Sequence, residues 1–291
     1  MGTATVWPLA QPIRADDPGG DAPWRDNAFL SFWDPARNAY GTMHVSTSPN
    51  GGGRRARLSL SIDGLMREII EPLEPGSFSS ASMSFDLGSG RAVAAAPGIE
   101  LELETAPLFT MADFRSKGVI PRMGSEPLQH FQTTVAVSGH CRIDGREIAI
   151  DGRGIRDRTW GHRDESINIS EYVWIFVAFA DASVTVMRFL GDGEHDVTDG
   201  FVLDQHGCRP VQGMAIIRDA AGLCAGATLK LVDGDVLELR SGGRRAGFWV
   251  PMGDERAGPA MSCFDEFASF ATAAGVTGFG LAEHGVVRRL F

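Results

Sequence analysis

Arg55-Ala56-Arg57-Leu58-Ser59-Leu60-Ser61-Ile62-Asp63 alternates apolar and polar side chains without a break. A period of two is the mark of a strand with one face on a core and the other in water. Ala56, Leu58, Leu60 and Ile62 are expected inward, with Arg57, Ser59, Ser61 and Asp63 on the solvated side. The same reading fits Ala81–Leu87, with Ala81, Met83, Phe85 and Leu87 inward, and Ile99–Thr105, where Ile99, Leu101 and Leu103 alternate with Glu100, Glu102 and Glu104. Asp63-Gly64, Asp144-Gly145 and Asp233-Gly234 each separate two such runs. Asp-Gly supplies the positive φ that a type I′ hairpin turn needs. Together these patterns predict an all-β protein.

Two segments break the pattern. Tyr172–Ala180 is apolar on both faces, as expected of a strand between two packed layers. Ser262–Gly275 places Phe264, Phe267 and Phe270 at helical spacing before a glycine, which predicts one short C-terminal helix with a core-facing aromatic seam. Pro107–Pro127 has no clean period and reads as a lid or a capping insertion.

Composition narrows the function. The 291 residues are 43% hydrophobic, enough for two compact domains with proper cores. A net charge of −10 and a pI near 5.2 argue against sequence-independent binding of nucleic acid, which depends on neutralising phosphates. No window is long and apolar enough for a membrane-spanning helix. Met1–Gly20 has no basic head followed by an apolar run, so no secretory leader is expected. The scattered Cys141, Cys208, Cys224 and Cys263 fit a reducing, cytoplasmic setting.

The most informative segment is Gly152–Ser166, GRGIRDRTWGHRDES. It gathers Arg153, Arg156, Asp157, Arg158, His162, Arg163, Asp164 and Glu165 around Trp160-Gly161. One reading is a solvated loop between domains, stitched by Arg–carboxylate pairs. The other takes Asp157 as a carboxyl in an apolar mouth against Trp160. Desolvation would then keep it protonated, able to give a proton to an alkene or an oxygen, with the indole face stabilising the resulting cation. In a strand Arg156 and Arg158 point away from Asp157, which keeps this reading open.

Other chemistries find less support. His130 and His140 lie ten residues apart on one apparent strand, but no ligand spacing typical of a metal site accompanies them, so no metal is expected. Gly51-Gly52-Gly53 before Arg54-Arg55 lacks the Lys-Ser/Thr ending and following helix of a phosphate cradle, and reads as a hairpin loop. No G-x-S-x-G elbow and no strand–G-x-G-x-x-G–helix unit occurs, so neither a serine hydrolase nor a nicotinamide or flavin cofactor is expected.

The run Ile150–Asp164 resembles the signature of the lipocalin-like hydroxyneurosporene synthase/AttH family. This group includes the carotenoid 1,2-hydratases and, more distantly, tocopherol cyclase and fungal pericyclases of the Diels–Alderase type. Its hallmark is an Asp, one or two variable positions, then Trp-Gly, which here would be Asp157, Trp160 and Gly161. Gly278–Glu283 is similar to the group's closing strand, and Phe29–Ser46 to the opening strands of bacterial members. The pattern extends over nearly the whole chain, although only about fifteen residues are specific. Carotenoid hydratases carry an Asp-His pair preceded by an aromatic. Here Ile155-Arg156 precede Asp157 and Arg158 follows it, which points away from carotenoid hydration itself.

The resemblance implies two tandem lipocalin-like antiparallel β domains: an extension over 1–24, a first domain over 25–155 and a second over 156–291. It implies a cofactor-free lyase or isomerase, a hydratase, dehydratase or cyclase, acting on a hydrophobic terpenoid- or polyketide-like molecule. In that reading Asp157 is the acid, Trp160 steadies developing cation, and Glu283 is a second carboxylate. Trp33, Tyr40, Tyr172, Trp174, Phe176 and Trp249 would contact substrate, while Arg156, Arg158, His162 and Arg163 position groups or pair structurally. The expected partner is a hydrophobic small molecule, with a second copy of the chain as the candidate protein partner. The alternative is a binding protein that holds such a molecule without chemistry. A purely structural interaction module is the third reading.

Overall fold

The computed structural model describes residues 8–14, 16, 19, 24–47, 55–73, 76–115, 128–162, 169–191, 196–252 and 261–287. Arg163–Ser166, Gly51–Gly53 and residues 116–127 of the expected insertion lie outside the described residues.

The chain divides into two compact units, one of residues 1–108 and 128–162, the other of 109–127 and 163–291. The strand carrying the signature therefore belongs whole to the first unit, whereas the sequence placed the join at 155/156.

The first unit holds β1 (Trp24–Asp34), β2 (Ala39–Thr47), β3 (Arg55–Ile62), β4 (Leu65–Pro72), β5 (Met83–Asp86), β6 (Arg91–Ala96) and β7 (Ile99–Pro107). After the short β8 (Ala112–Asp113) of the second unit come β9 (Gln129–Ile143) and β10 (Arg146–His162). A single 3-10 turn, Pro35–Arg37, follows β1. The sheet runs β4-β3-β2-β1-β10-β9-β7-β6-β5, with every neighbouring pair antiparallel. It curls into a half-barrel. Glu71 of β4 accepts hydrogen bonds from the hydroxyls of Ser80 and Ser82 and from the Ser82 amide, just ahead of β5.

The second unit is a closed barrel of β11 (Glu171–Ala178), β12 (Ala182–Leu190), β13 (Asp196–Asp204), β14 (Cys208–Arg218), β15 (Cys224–Leu231), β16 (Val236–Met252), β17 (Met261–Thr272) and β18 (Thr277–Val287). Closure leaves no strand edge in the barrel. Thr110 donates its hydroxyl to the carbonyls of Asp204 and Gly207, and Phe114 meets Phe201 edge-on at 5.2 Å, so residues 110–114 are fastened to the barrel.

The all-β expectation holds, with one correction. Ser262–Gly275 is not a helix: Met261–Thr272 is β17, paired with β16 and β18. Phe267 lies on one face and Phe270 on the other, and both are fully buried. A strand buried on both sides has no period-two signature, and its aromatics can mimic a helical seam. No α-helix occurs among the described residues.

The expected core positions of β3, β5 and β7 are buried, apart from Ala81, which is exposed and precedes β5. Ser59 and Ser61 are buried too, on the face expected to meet water. Asp63-Gly64 and Asp144-Gly145 form their turns with both residues at positive φ (47° and 81°; 49° and 83°), the I′ pattern. In the β15–β16 connection only Gly234 takes positive φ (96°), within a longer turn in which its amide donates to the Leu231 carbonyl.

Candidate active site

Register decides which side chains of the signature meet. In β10, Asp157 lies opposite Gln132 of β9 and Phe29 of β1, while Arg156 and Arg158 lie opposite Leu30 and Ala28. Directly opposed residues share a face. The half-barrel therefore has an apolar face, with Ala28, Leu30 and Phe32 in its core, and a second buried face that is polar and aromatic. Asp157 lies on the second. Phe29, Ser31, Trp33, Tyr40, Thr42, Ser59, Gln132 and Thr134 share that face, and all are buried.

Asp157 sits in a knot of donors. Its Oδ2 is 2.6 Å from His130 Nε2 and accepts from Gln132 Nε2 at 2.7 Å; its Oδ1 accepts from the Thr159 hydroxyl at 2.9 Å. Gln132 Nε2 also lies 3.1 Å from His130 Nε2. Burial pushes the Asp157 carboxyl upward, but the charge and hydrogen bond of His130, with the bonds from Gln132 and Thr159, outweigh it and hold the group below the ordinary carboxylate range. The expectation of a carboxyl kept protonated by an apolar pocket is thus corrected. Asp157 rests as a carboxylate, and His130 supplies the proton of the 2.6 Å contact. Asp157 is the more accessible of the two, with 12% of its side chain exposed against 4% for His130.

Trp160 is not brought together with Asp157. Three residues along a strand reverses the face, so the indole lies with Arg158, whose guanidinium is 4.9 Å from the ring centroid. Phe131 also packs against that indole, tilted, at 5.7 Å. Gly161 follows with φ +143°, where a Cβ would meet Leu128 Cδ1 at 2.9 Å. The Trp-Gly hallmark is thereby explained locally by packing and backbone conformation.

The positioning residues divide similarly. Arg158 is 1% exposed, pairs with Asp26 at 2.5 Å and donates to the carbonyls of Gln11 and Asn27. Arg156 donates to the Leu87 carbonyl and lies over the Phe85 ring, and burial pushes it down to about 10. His162 meets Trp24 edge-on at 5.1 Å. These three residues stay off the Asp157 face, while Arg163 lies outside the described residues.

Trp33 and Tyr40 are cross-strand partners, buried on the Asp157 face. Phe29, directly opposite Asp157, meets the ring of His44 edge-on at 5.8 Å. The sequence reading missed His130 and Gln132 as partners of Asp157. Their signal is the His-x-Gln pair at the start of a strand that mirrors Asp-x-Thr on its antiparallel neighbour.

The remaining candidates belong to the barrel. Tyr172, Trp174 and Phe176 lie on one buried face of β11, opposite to the face of Val173, Ile175 and Val177 in the barrel core. The Tyr172 hydroxyl donates to Glu283 and lies 2.8 Å from Cys263 Sγ. Burial, then Cys263 and Glu283, raises the phenol well above its ordinary range, so it remains a donor. Tyr172 stacks on Phe189 at 5.0 Å, and Trp174 donates its indole N–H to Thr185. Trp249 is 61% exposed and tilts against Phe264 at 4.9 Å.

A half-barrel and a closed barrel in tandem define a lipocalin-like all-β protein, and solved structures share this architecture. An AttH-like protein from Nitrosomonas europaea superposes with a TM-score of 0.65 at 14% identity, over 96% of this chain and 99% of that one. CghA with Sch210972 gives 0.61 at 13% identity, covering 99% and 97%. Kievitone hydratase from Nectria haematococca gives 0.63 at 11%, covering 99% and 94%. No curated protein sequence matches the chain significantly. The family model described as a domain of unknown function (DUF7064) matches residues 13–288, and the chain belongs to that family.

Proposed function

We propose that the protein is a cofactor-free lyase or isomerase, of hydratase, dehydratase or cyclase type, acting on a hydrophobic terpenoid- or polyketide-like molecule. The observation that carries this reading is the buried 2.6 Å contact between Asp157 and His130. Support of a coarser kind comes from the fold, which the chain shares with a hydratase. The proton starts on His130 and passes through the more accessible Asp157 oxygen to an alkene or oxygen of the substrate. The alkene π pair forms the new C–H bond, and the Asp157–His130 pair is left one proton poorer. Capture of the cation by water or by an internal hydroxyl, or loss of a C–H proton beside the cation, returns a proton to the pair. Gln132 and Thr159 keep the carboxylate oriented between transfers. Phe29, Trp33 and Tyr40 supply an aromatic wall on the same face, and Glu283 with Tyr172 is a second carboxylate–phenol pair in the barrel.

The test is solvent-deuterium incorporation into a panel of isoprenoid and polyketide alkenes. Removing a general acid costs about 10²–10⁴ in rate, so Asp157→Asn and His130→Gln should each lose turnover on that scale while still binding ligand. Full activity in Asp157→Asn sinks the assignment. Retention of a co-purified hydrophobic ligand by native mass spectrometry, without turnover of any panel member, favours the binding-protein alternative.

A further inference from the structure

His284 lies inside the closed barrel, on the same face of β18 as the core residue Ala282. Its Nε2 accepts the backbone N–H of Cys224 at 2.9 Å. β18 pairs with β11 and β17, and β15 with β14 and β16, so this bond follows no sheet ladder. It crosses the barrel interior and holds the first residue of β15. An N–H can donate to Nε2 only when that nitrogen carries no proton, so the geometry fixes a neutral ring with its hydrogen on Nδ1.

The surroundings are strongly charged. Arg218 of β14 pairs with Glu171 of β11 at 2.6 Å; Arg244 of β16 holds Glu266 of β17 at 2.6 Å and Asp219 at 2.7 Å. Arg188 of β12, which pairs with Asp196 of β13, occupies the same end. Burial first, then Arg218, lower the basicity of His284; Glu171 opposes them, and Arg244 and Asp219 add lesser effects of opposite sign. The Arg218–Cys224 register step beside the latch is irregular, so β14 and β15 hold this end less regularly than the rest of their ladder.

We propose that His284 is an acid-sensitive latch: its neutral ring ties the start of β15 to β18 across the barrel, and protonation releases it. Once protonated, Nε2 presents an N–H to the Cys224 N–H, and the bond is lost. Because the folded ring is less basic than a free one, the native barrel takes up fewer protons than the unfolded chain as pH falls below the ordinary histidine range. The latch's stabilisation is therefore complete above that range and is lost as pH falls through the folded value.

The experiment is NMR on the full ¹⁵N-labelled chain. At about pH 7.5, well above the ordinary histidine range, His284 should show an unprotonated Nε2 and a protonated Nδ1. The protection factor of the Cys224 amide should fall roughly tenfold or more between about pH 7.5 and about pH 5. In His284→Gln, whose amide oxygen accepts the same N–H at any pH, protection should stay within about twofold over that range. Flat protection in the natural protein, or an equal fall in His284→Gln, overturns the latch. So does the opposite tautomer at neutral pH, a measurement that needs no variant to fold.

Discussion

At the scale of single residues, Asp157 could be singled out from the sequence and its partner could not. Asp157 stood out because charge crowds around it in the chain. His130 lies 27 positions away, and only the pairing of β9 with β10 brings it to 2.6 Å. No local spacing encodes such a contact. The misplacement of Trp160 has a plainer cause: the alternation that turns Arg156 and Arg158 away from Asp157 turns residue 160 away as well. Arg158 has a structural task that can be measured. It is buried against Asp26, so Arg158→Met takes the guanidinium away from a carboxylate in the interior that keeps only weaker partners such as the Arg14 amide. Breaking a buried pair from one side costs about 3–5 kcal/mol, and urea unfolding of Arg158→Met should show a loss of that size. Asp26→Leu/Arg158→Met should recover part of it. A single variant as stable as the natural protein would mean that water already screens the pair.

At the scale of elements, strands with one wet face were readable, and so was β11, apolar from Tyr172 onward and buried on both faces; β17 was not. β7 alternates Ile, Glu, Leu, Glu, and its burial follows letter by letter. β3 shows the same alternation, yet Ser59 and Ser61 are buried with the apolar residues. Small hydroxyl side chains satisfy themselves locally, as Ser59 does on Glu68 at 3.0 Å, and so tolerate either environment. β17 was read as a helix for the related reason that aromatics on both faces erase the period. The signature itself tests how firmly an element sets its backbone. Gly161 combines φ +143° with the close approach of Leu128. Gly161→Ala should therefore cost about 1–3 kcal/mol in chemical denaturation, and a neutral result would show that the end of β10 relaxes freely.

At the scale of the whole molecule, the all-β plan could be read from hairpin turns and alternation, because each hairpin declares itself locally. Closure could not. Nothing in Glu171–Ala178 names Phe279–Val286 as its neighbour, yet these segments form the seam of the barrel. A chain cut before Thr277 should keep most strands but lose that seam and His284 together, leaving β11 and β17 as bare edges. Limited proteolysis should then cleave the second unit readily while the first resists, and equal resistance of both would show that the barrel closes without β18.

The seam also bears on how the protein is made. Glu171 pairs with Val286, so a ribosome must deliver nearly the whole second unit before β11 acquires its partner. Until then the apolar residues on both faces of β11 wait on a growing chain, and non-local pairing of this kind is slow. The nascent barrel is thus the stage at which holding chaperones have most to protect.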